Sequence, residues 1–290
     1  MPETPEEINP EHPASGLRRR VDENLVIAPG KTLSVVIPAY NESKRIGPTL
    51  REIREWLDKY FSTRYEVVVV DDGSRDNTAE VVETEAAQWP NLRLLRQPKN
   101  LGKGAAVRRG CLDARYEYVL FMDADHATPI EELRAFFPKI EKGFEIVVGV
   151  RTYQETEDRS RRIMGLALLM LAHLIVFKKA VVDSQCGFKL VRREVCQEIF
   201  SRCGINGGMI DIEIFHLAHQ LGRHIWFAPV YWYNKAGSTI NVLHCVLFDP
   251  FDLLAIRWRA MRGVYDKPLA RQPWETSPKA AAVDQAALQK

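Results

Sequence analysis

Residues 33–37 and 66–70 are rich in β-branched side chains with hardly a polar interruption, and each run is closed by turn-type or acidic residues. A strand that is apolar on both faces must be covered on both faces, which is the condition of a parallel strand inside an α/β sheet. Between them, Ile46, Leu50, Ile53 and Leu57 recur at helical spacing over residues 44–60, with Asn41 and Ser43 as candidate caps. A second helix follows Asp76, which can cap it and turns Val81 and Val82 inward. A third strand is expected at 92–95, a helix at 105–114, and a fourth strand in Val119-Leu120-Phe121-Met122, which ends at Asp123. Past Pro129, Leu133, Phe136, Phe137 and Ile140 predict one helix, followed by a strand at 146–148. This alternation predicts a mostly parallel, Rossmann-like sheet flanked by helices, with right-handed crossovers gathering the strand ends along one edge.

Ligands of open α/β sheets bind at that edge. Asn41 and Glu42 follow strand one, Asp71 and Asp72 follow strand two, and Asp123 and Asp125 follow strand four. Carboxylates gathered from three strands repel one another unless a cation or a donor-rich ligand sits among them. Asp123 and Asp125 can share a divalent cation, Mg²⁺ or Mn²⁺, and through it a diphosphate. Asp71 or Asp72 can accept from a base or a ribose, and Gly73 permits the sharp turn beside them. Gly102 and Gly104 allow close approach of the main chain and Lys103 can neutralise a phosphate; the same Gly-Lys-Gly also reads as an ordinary turn.

The chain has 290 residues, 46% of them apolar, enough for a packed core. A formal charge of +2 with acids and bases interspersed gives no basic field and argues against nucleic acid as a partner. Five cysteines, at 111, 186, 196, 203 and 245, show no Cys-x-x-Cys spacing, so neither a disulfide framework nor a structural zinc site is expected, and a reducing compartment follows. Residues 1–30 read as a mobile tail with no signal peptide or membrane anchor, and residues 267–290 as a second tail. A catalytic domain is expected over 31–235 and an amphipathic helical extension over 236–266.

Val36-Ile37-Pro38-Ala39-Tyr40-Asn41-Glu42, Val70-Asp71-Asp72-Gly73-Ser74, Asn100-Leu101-Gly102-Lys103-Gly104 and Asp123-Ala124-Asp125, in this order and spacing, resemble the family 2 glycosyltransferases. The resemblance spans about residues 33–235 and implies a GT-A fold and a nucleotide-sugar donor. It implies donor contacts from Pro38, Tyr40, Glu42, Asp71, Asp72, Lys103, Asp123 and Gln185, with metal ligation by Asp123 and Asp125. Val182-Asp183-Ser184-Gln185-Cys186-Gly187-Phe188-Lys189-Leu190 is similar to the polyprenyl-phosphate branch, in particular the dolichyl-phosphate β-glucosyltransferases. That favours UDP-glucose over GDP-mannose and a polyprenyl phosphate acceptor.

Arginine suits such an acceptor because its guanidinium fork binds phosphate oxygens in pairs and stays charged. By resemblance Arg151 and one of Arg161 or Arg162 hold the acceptor phosphate. Residues 163–177 form an apolar run of about 22 Å as a helix, too short to span roughly 30 Å of hydrocarbon. It reads either as a core helix or as a segment lying in a membrane interface between the arginines and Lys178 and Lys179. Asp211 and Glu213 open a helix at 214–221; each can bind sugar hydroxyls, act as a base, or simply favour the helix start. Trp226, Trp232 and Tyr233 read as core, Cys186 as packing, and residues 246–258 as a second interface helix. The expected catalytic residues are Asp125, Arg151, Arg162 and Asp211, in an enzyme working peripherally on the cytoplasmic face of a membrane.

Overall fold

β1 (Leu33–Ala39) and β2 (Tyr65–Asp71) are buried along almost their whole length, as runs apolar on both faces require. The computed structural model describes residues 30–152, 176, 186–233 and 242–269. In it β1 and β2 lie side by side in a seven-stranded sheet of order β3-β2-β1-β4-β6-β5-β7, with β3 Leu92–Arg96, β4 Tyr118–Phe121, β5 Ile146–Thr152, β6 Lys189–Arg192 and β7 Ile225–Tyr231. All pairings are parallel except those of β6, which runs antiparallel to both β4 and β5. The carboxyl ends of six strands therefore share one edge, and the amino end of β6 joins them there.

Alternation along β1 divides the core. Leu33, Val35 and Ile37 pack on one face with Ile46, Leu50, Ile53 and Leu57 of α1 (Ile46–Phe61). Val36 packs on the other with α3 (Lys103–Asp113), α5 (Arg193–Phe200) and α6 (Ile210–Gln220). α2 (Thr78–Ala86) buries Val82 beside β2. The extension expected over 236–266 contains α7 (Val242–Met261), which buries Leu253 and Ile256 in the second half-core together with Tyr265. Pro38 is tolerated in an interior strand because β4 pairs β1 only as far as Val36.

Several local expectations are corrected. Neither Asn41 nor Ser43 caps α1; the carbonyl of Glu42 accepts the Arg45 and Ile46 amides instead. Asp76 does receive the Thr78 amide ahead of α2, at 3.0 Å. The single helix expected after Pro129 is a 3₁₀ turn at Ile130–Ala135 and then α4 (Phe137–Glu141), because Pro138 has no amide proton to carry a helical ladder across the junction. β6 and α5 were not anticipated. Trp232 and Tyr233 lie past the end of β7, Tyr233 exposed and Trp232 under the Arg151 guanidinium, so neither is core. Residues 1–29 and 270–290, Arg159, Arg161, Arg162, Lys178, Lys179, Gln185 and all of 163–177 except Val176 lie outside the described residues, while at the start of the second expected tail the Leu269 amide donates to the Ser201 carbonyl at 2.8 Å.

Candidate functional site

The loops after β1 and β2 are sewn together before they meet any ligand. Asn41 donates its amide to Ser74 Oγ at 2.9 Å and accepts the Arg75 amide on Oδ1 at 2.8 Å; Glu42 and Ser43 donate theirs to Thr78 Oγ1 and Asp76 Oδ2. Asn41 takes a positive φ of 55°, a conformation its short amide tolerates. Glu42 binds Arg45 through both carboxylate oxygens, at 2.6 and 2.7 Å. Burial pushes its carboxyl up, the Arg45 contact opposes this, and Asp125 adds to it. Pro38 and Tyr40 are half-buried on the same edge.

The two aspartates after β2 divide their work. Asp72 accepts from Gln97 Nε2 at 2.7 Å, the Leu101 amide at 2.8 Å and the Gly102 amide at 2.9 Å, so its carboxylate fastens the 100–103 loop. Burial raises its pKa against those bonds, and Asp71 raises it further. Asp71 gives one oxygen to the Ser74 amide at 3.1 Å. Of the pair, Asp71 therefore keeps more of its acceptor capacity unspent.

The glycines flanking Lys103 do permit close main-chain approach, but the approaching chain is the protein's own. A Cβ on Gly102 would lie 2.3 Å from the Asn206 carbonyl oxygen, and one on Gly104 would lie 2.7 Å from that of Ile205. The amides of Gly104 and Ala105 point at the Asn206 carbonyl, at 2.7 and 3.3 Å. The start of α3 thus spends these donors internally, and what it presents outward is the Lys103 ammonium.

That ammonium lies 2.7 Å from Asp123 Oδ1. Burial opposes ionisation of Asp123, but Lys103, Lys189 and Arg151 outweigh it and hold the carboxyl below its usual range. Asp125 is raised, first by burial and then by Asp123. The loop carrying both is pinned from several sides: Thr49 Oγ1 donates to the Ala124 carbonyl at 3.0 Å, Asp125 Oδ1 accepts the Ala127 amide at 3.0 Å, and Tyr233 donates its amide to the Ala127 carbonyl at 2.9 Å. His126, at φ 53°, accepts the Ile130 amide on Nε2 and meets Glu52 through Nδ1. Sequence reasoning missed Thr49 and His126, and only the adjacency of His126 to Asp125 could have pointed to it.

Gly187 completes the floor. A Cβ there would stand 2.2 Å from Asp123 Oδ2, so the carboxylate rests directly on the glycine main chain. Of the described residues in the Gln-Cys-Gly-Phe-Lys element, Cys186 faces Gly149 of β5 and Phe188 meets Phe136 edge-on. Lys189 is fully buried and donates to the Cys186 carbonyl and to Asp211 Oδ1, both at 2.6 Å. Asp211 is thus ion-paired in the first turn of α6, with Lys103 within its field. Glu213 turns the other way. Its oxygens accept the Gly204 and Ile205 amides and the Tyr265 hydroxyl, which makes it part of the scaffold rather than a ligand for sugar.

Asp123 and Asp125, two residues apart on one loop, are hard oxygen donors that would suit a divalent cation such as Mg²⁺ or Mn²⁺, which would supply charge neutralisation there. Among the described residues no cluster of three or more His, Cys, Asp or Glu forms a self-sufficient metal cage.

Residues 34–200 match the family model described as Glycosyl transferase family 2. A Trichomonas vaginalis protein named dolichyl-phosphate beta-glucosyltransferase ALG5C is 36% identical over 274 residues, covering 88% of this chain and 81% of that one. The Homo sapiens dolichyl-phosphate beta-glucosyltransferase is 34% identical over 258 residues, covering 82% and 78%. Among solved structures, glucosyl-3-phosphoglycerate synthase from Mycobacterium tuberculosis with Mn²⁺ and UDP-glucose superposes with a TM-score of 0.60 at 20% identity, covering 84% of this chain and 83% of that one. With its mostly parallel sheet and acid-lined edge, the chain has the GT-A fold, belongs to glycosyl transferase family 2 and is a glycosyltransferase.

Proposed function

We propose that this glycosyltransferase moves glucose from UDP-glucose to a polyprenyl phosphate, with inversion, at the cytoplasmic surface of a membrane. The observation that carries the reading is the apposition of Asp123 and Asp125 with two cations, Lys103 at 2.7 Å and Arg151 within electrostatic reach of Asp123. Asp71 and the loop from Pro38 to Glu42 receive the nucleoside, and Lys103 faces the diphosphate. A Mg²⁺ or Mn²⁺ ion held by Asp125 and Asp123 would neutralise charge on the departing UDP. Arg151 holds the acceptor phosphate, with Arg162 as its further proposed partner and Gln185 as a proposed contact of the donor, both outside the described residues. A phosphate monoester loses its second proton near pH 6, so its oxygen attacks the anomeric carbon without a general base. The bond from that carbon to UDP breaks on the opposite face, and configuration inverts. Asp211, already paired with Lys189, supports the site without taking a proton.

α7 supports the membrane setting. Phe251, Leu254, Trp258 and Met261 are more than half exposed and, with Phe248, follow helical spacing along one face. The acids of α7 point inward, Asp249 buried and Asp252 beside Gly207, while Arg257 and Arg262 are exposed. An apolar face edged with cations fits an anionic lipid surface and disfavours pairing with a second copy of itself. None of the helices among the described residues is long and apolar enough to cross a membrane. Phe251→Glu combined with Leu254→Glu should weaken binding to anionic vesicles by roughly tenfold or more in a flotation assay, at unchanged melting temperature. Unchanged vesicle binding, or conversion of a dimer to a monomer, would reject the lipid assignment of this face.

The reaction itself is tested by incubating the purified chain with radiolabelled UDP-glucose or GDP-mannose, Mn²⁺ or Mg²⁺, and polyprenyl phosphate, then extracting with organic solvent. Label from UDP-glucose should enter the organic phase, and chelation should stop it. Label from GDP-mannose instead would overturn the donor, and label confined to water would overturn the acceptor in favour of a soluble hydroxyl compound.

A further inference from the structure

We propose that Tyr265, which follows α7, is a positioning residue for the donor site, acting through Glu213 and the 203–207 loop on Lys103. The path is continuous in hydrogen bonds. The Tyr265 hydroxyl donates to Glu213 Oε1 at 2.7 Å, in a place where Glu213 is fully buried and Tyr265 is 1% exposed. The same carboxylate accepts the Gly204 amide at 2.9 and 3.0 Å and the Ile205 amide at 2.9 Å. A buried carboxylate with three donors fixes the loop it binds, because releasing any one leaves charge under-satisfied away from water.

The next residue delivers that fixity to α3. Asn206 uses its main-chain carbonyl to take the Gly104 and Ala105 amides and its Oδ1 to take Arg108 Nη2 at 2.9 Å. The contact has no slack, since Gly102 and Gly104 lack the room for even a methyl group against residues 205 and 206. Lys103 stands between those two glycines, so the angle at which its side chain leaves α3 is set by where the loop sits. Tyr265 adds a further tie from the segment after α7: without its hydroxyl, Glu213 loses one of its donors and the loop gains freedom. This deepens the reading given above and rests on it in one point, that Lys103 meets the diphosphate of the donor.

The test uses the full chain and Tyr265→Phe, which keeps the ring and removes only the hydroxyl. UDP binding with Mn²⁺, followed by titration calorimetry, should weaken roughly three- to tenfold, the scale of one ordinary net hydrogen bond felt through the loop, while the KM for the acceptor stays unchanged. Lys103→Met should weaken UDP binding as well, and adding Tyr265→Phe to it should cost nothing more, because the relay then has no end point. Additive losses, or unchanged UDP affinity in Tyr265→Phe, would overturn the proposal. Amide hydrogen exchange gives a readout independent of the ligand. Tyr265→Phe should speed exchange at Gly204 and Ile205 and also at Gly104 and Ala105, with β1 and β2 unaffected, and Glu213→Gln should show the same pattern more strongly. Should the wild type fail to bind UDP at all, the donor reading falls and exchange alone decides the relay: unaltered protection at Gly104 and Ala105 rejects it.

Discussion

Gly187→Ala is expected to cut kcat/KM by about two to three orders of magnitude while the protein stays folded. The added methyl carbon would stand 2.2, 2.5 and 2.6 Å from Oδ2, Cγ and Oδ1 of Asp123, all far inside van der Waals contact. Something must move, and the softest neighbour is the Asp123 side chain, which turns about two bonds without disturbing β4. Stability therefore changes little, on the order of 1 kcal/mol, as expected where a short side chain absorbs the strain. The site bears the cost. A displaced Asp123 leaves Lys103, its partner at 2.7 Å, and the place it shares with Asp125. Asp123 is itself an anion, so its displacement acts through the positive charge it positions: Lys103 loses its anchor and a divalent cation would lose one of its two carboxylates, and one misplaced cation at a developing anion costs about 3–4 kcal/mol of transition-state stabilisation, which is the stated rate loss. Melting curves, Mn²⁺ affinity and kcat/KM measured on one preparation check this. A variant with wild-type turnover would show that the position of Asp123 is irrelevant to the reaction.

This dependence also shows where sequence reasoning reached its limit. β1, β2 and β4 were readable because strands buried on both faces are written as nearly continuous apolar runs, and the acids following them could be placed on one edge from topology alone. β6 was not readable. It is four residues long, begins with a lysine and ends with an arginine, and looks polar until the structure shows that Lys189 is fully buried against Asp211. Hydrophobic pattern assigns a charged residue to the surface, and only a partner 22 positions away reverses that. The Gly-Lys-Gly loop was ambiguous for a related reason: sequence indicates that a main chain comes close, but not whose. Glu213 and Asp211 are two residues apart on one helix, and sequence could not say that one faces Lys189 and the other Tyr265. The single helix expected after Pro129 failed on a signal that was present, Pro138.

The buried Lys189–Asp211 pair makes the second large prediction and changes how the acceptor chemistry must be tested. Asp211→Asn looks like a clean removal of a candidate base, and a hydroxyl acceptor would need one. In this fold it also takes the paired negative charge from a fully buried ammonium, leaving it neutral acceptors, the Asn amide oxygen and the Cys186 carbonyl at 2.6 Å. Breaking a buried pair from one side costs about 3–5 kcal/mol, so Asp211→Asn and Lys189→Met should each lower the melting temperature by roughly 10 °C. Loss of activity in either single variant would then report unfolding or a disordered β6 as readily as lost chemistry. The double variant separates the two. Replacing both charges removes the uncompensated group, and such replacements are often close to neutral, so Lys189→Met with Asp211→Asn should recover most of the stability either single variant loses. If the acceptor is a phosphate that carries its own nucleophile, the double variant should turn over within about tenfold of wild type, because Asp123, Asp125, Lys103 and Arg151 are untouched. A double variant that is folded, binds UDP and is inactive with polyprenyl phosphate would make Asp211 the base and move the acceptor to the hydroxyl class.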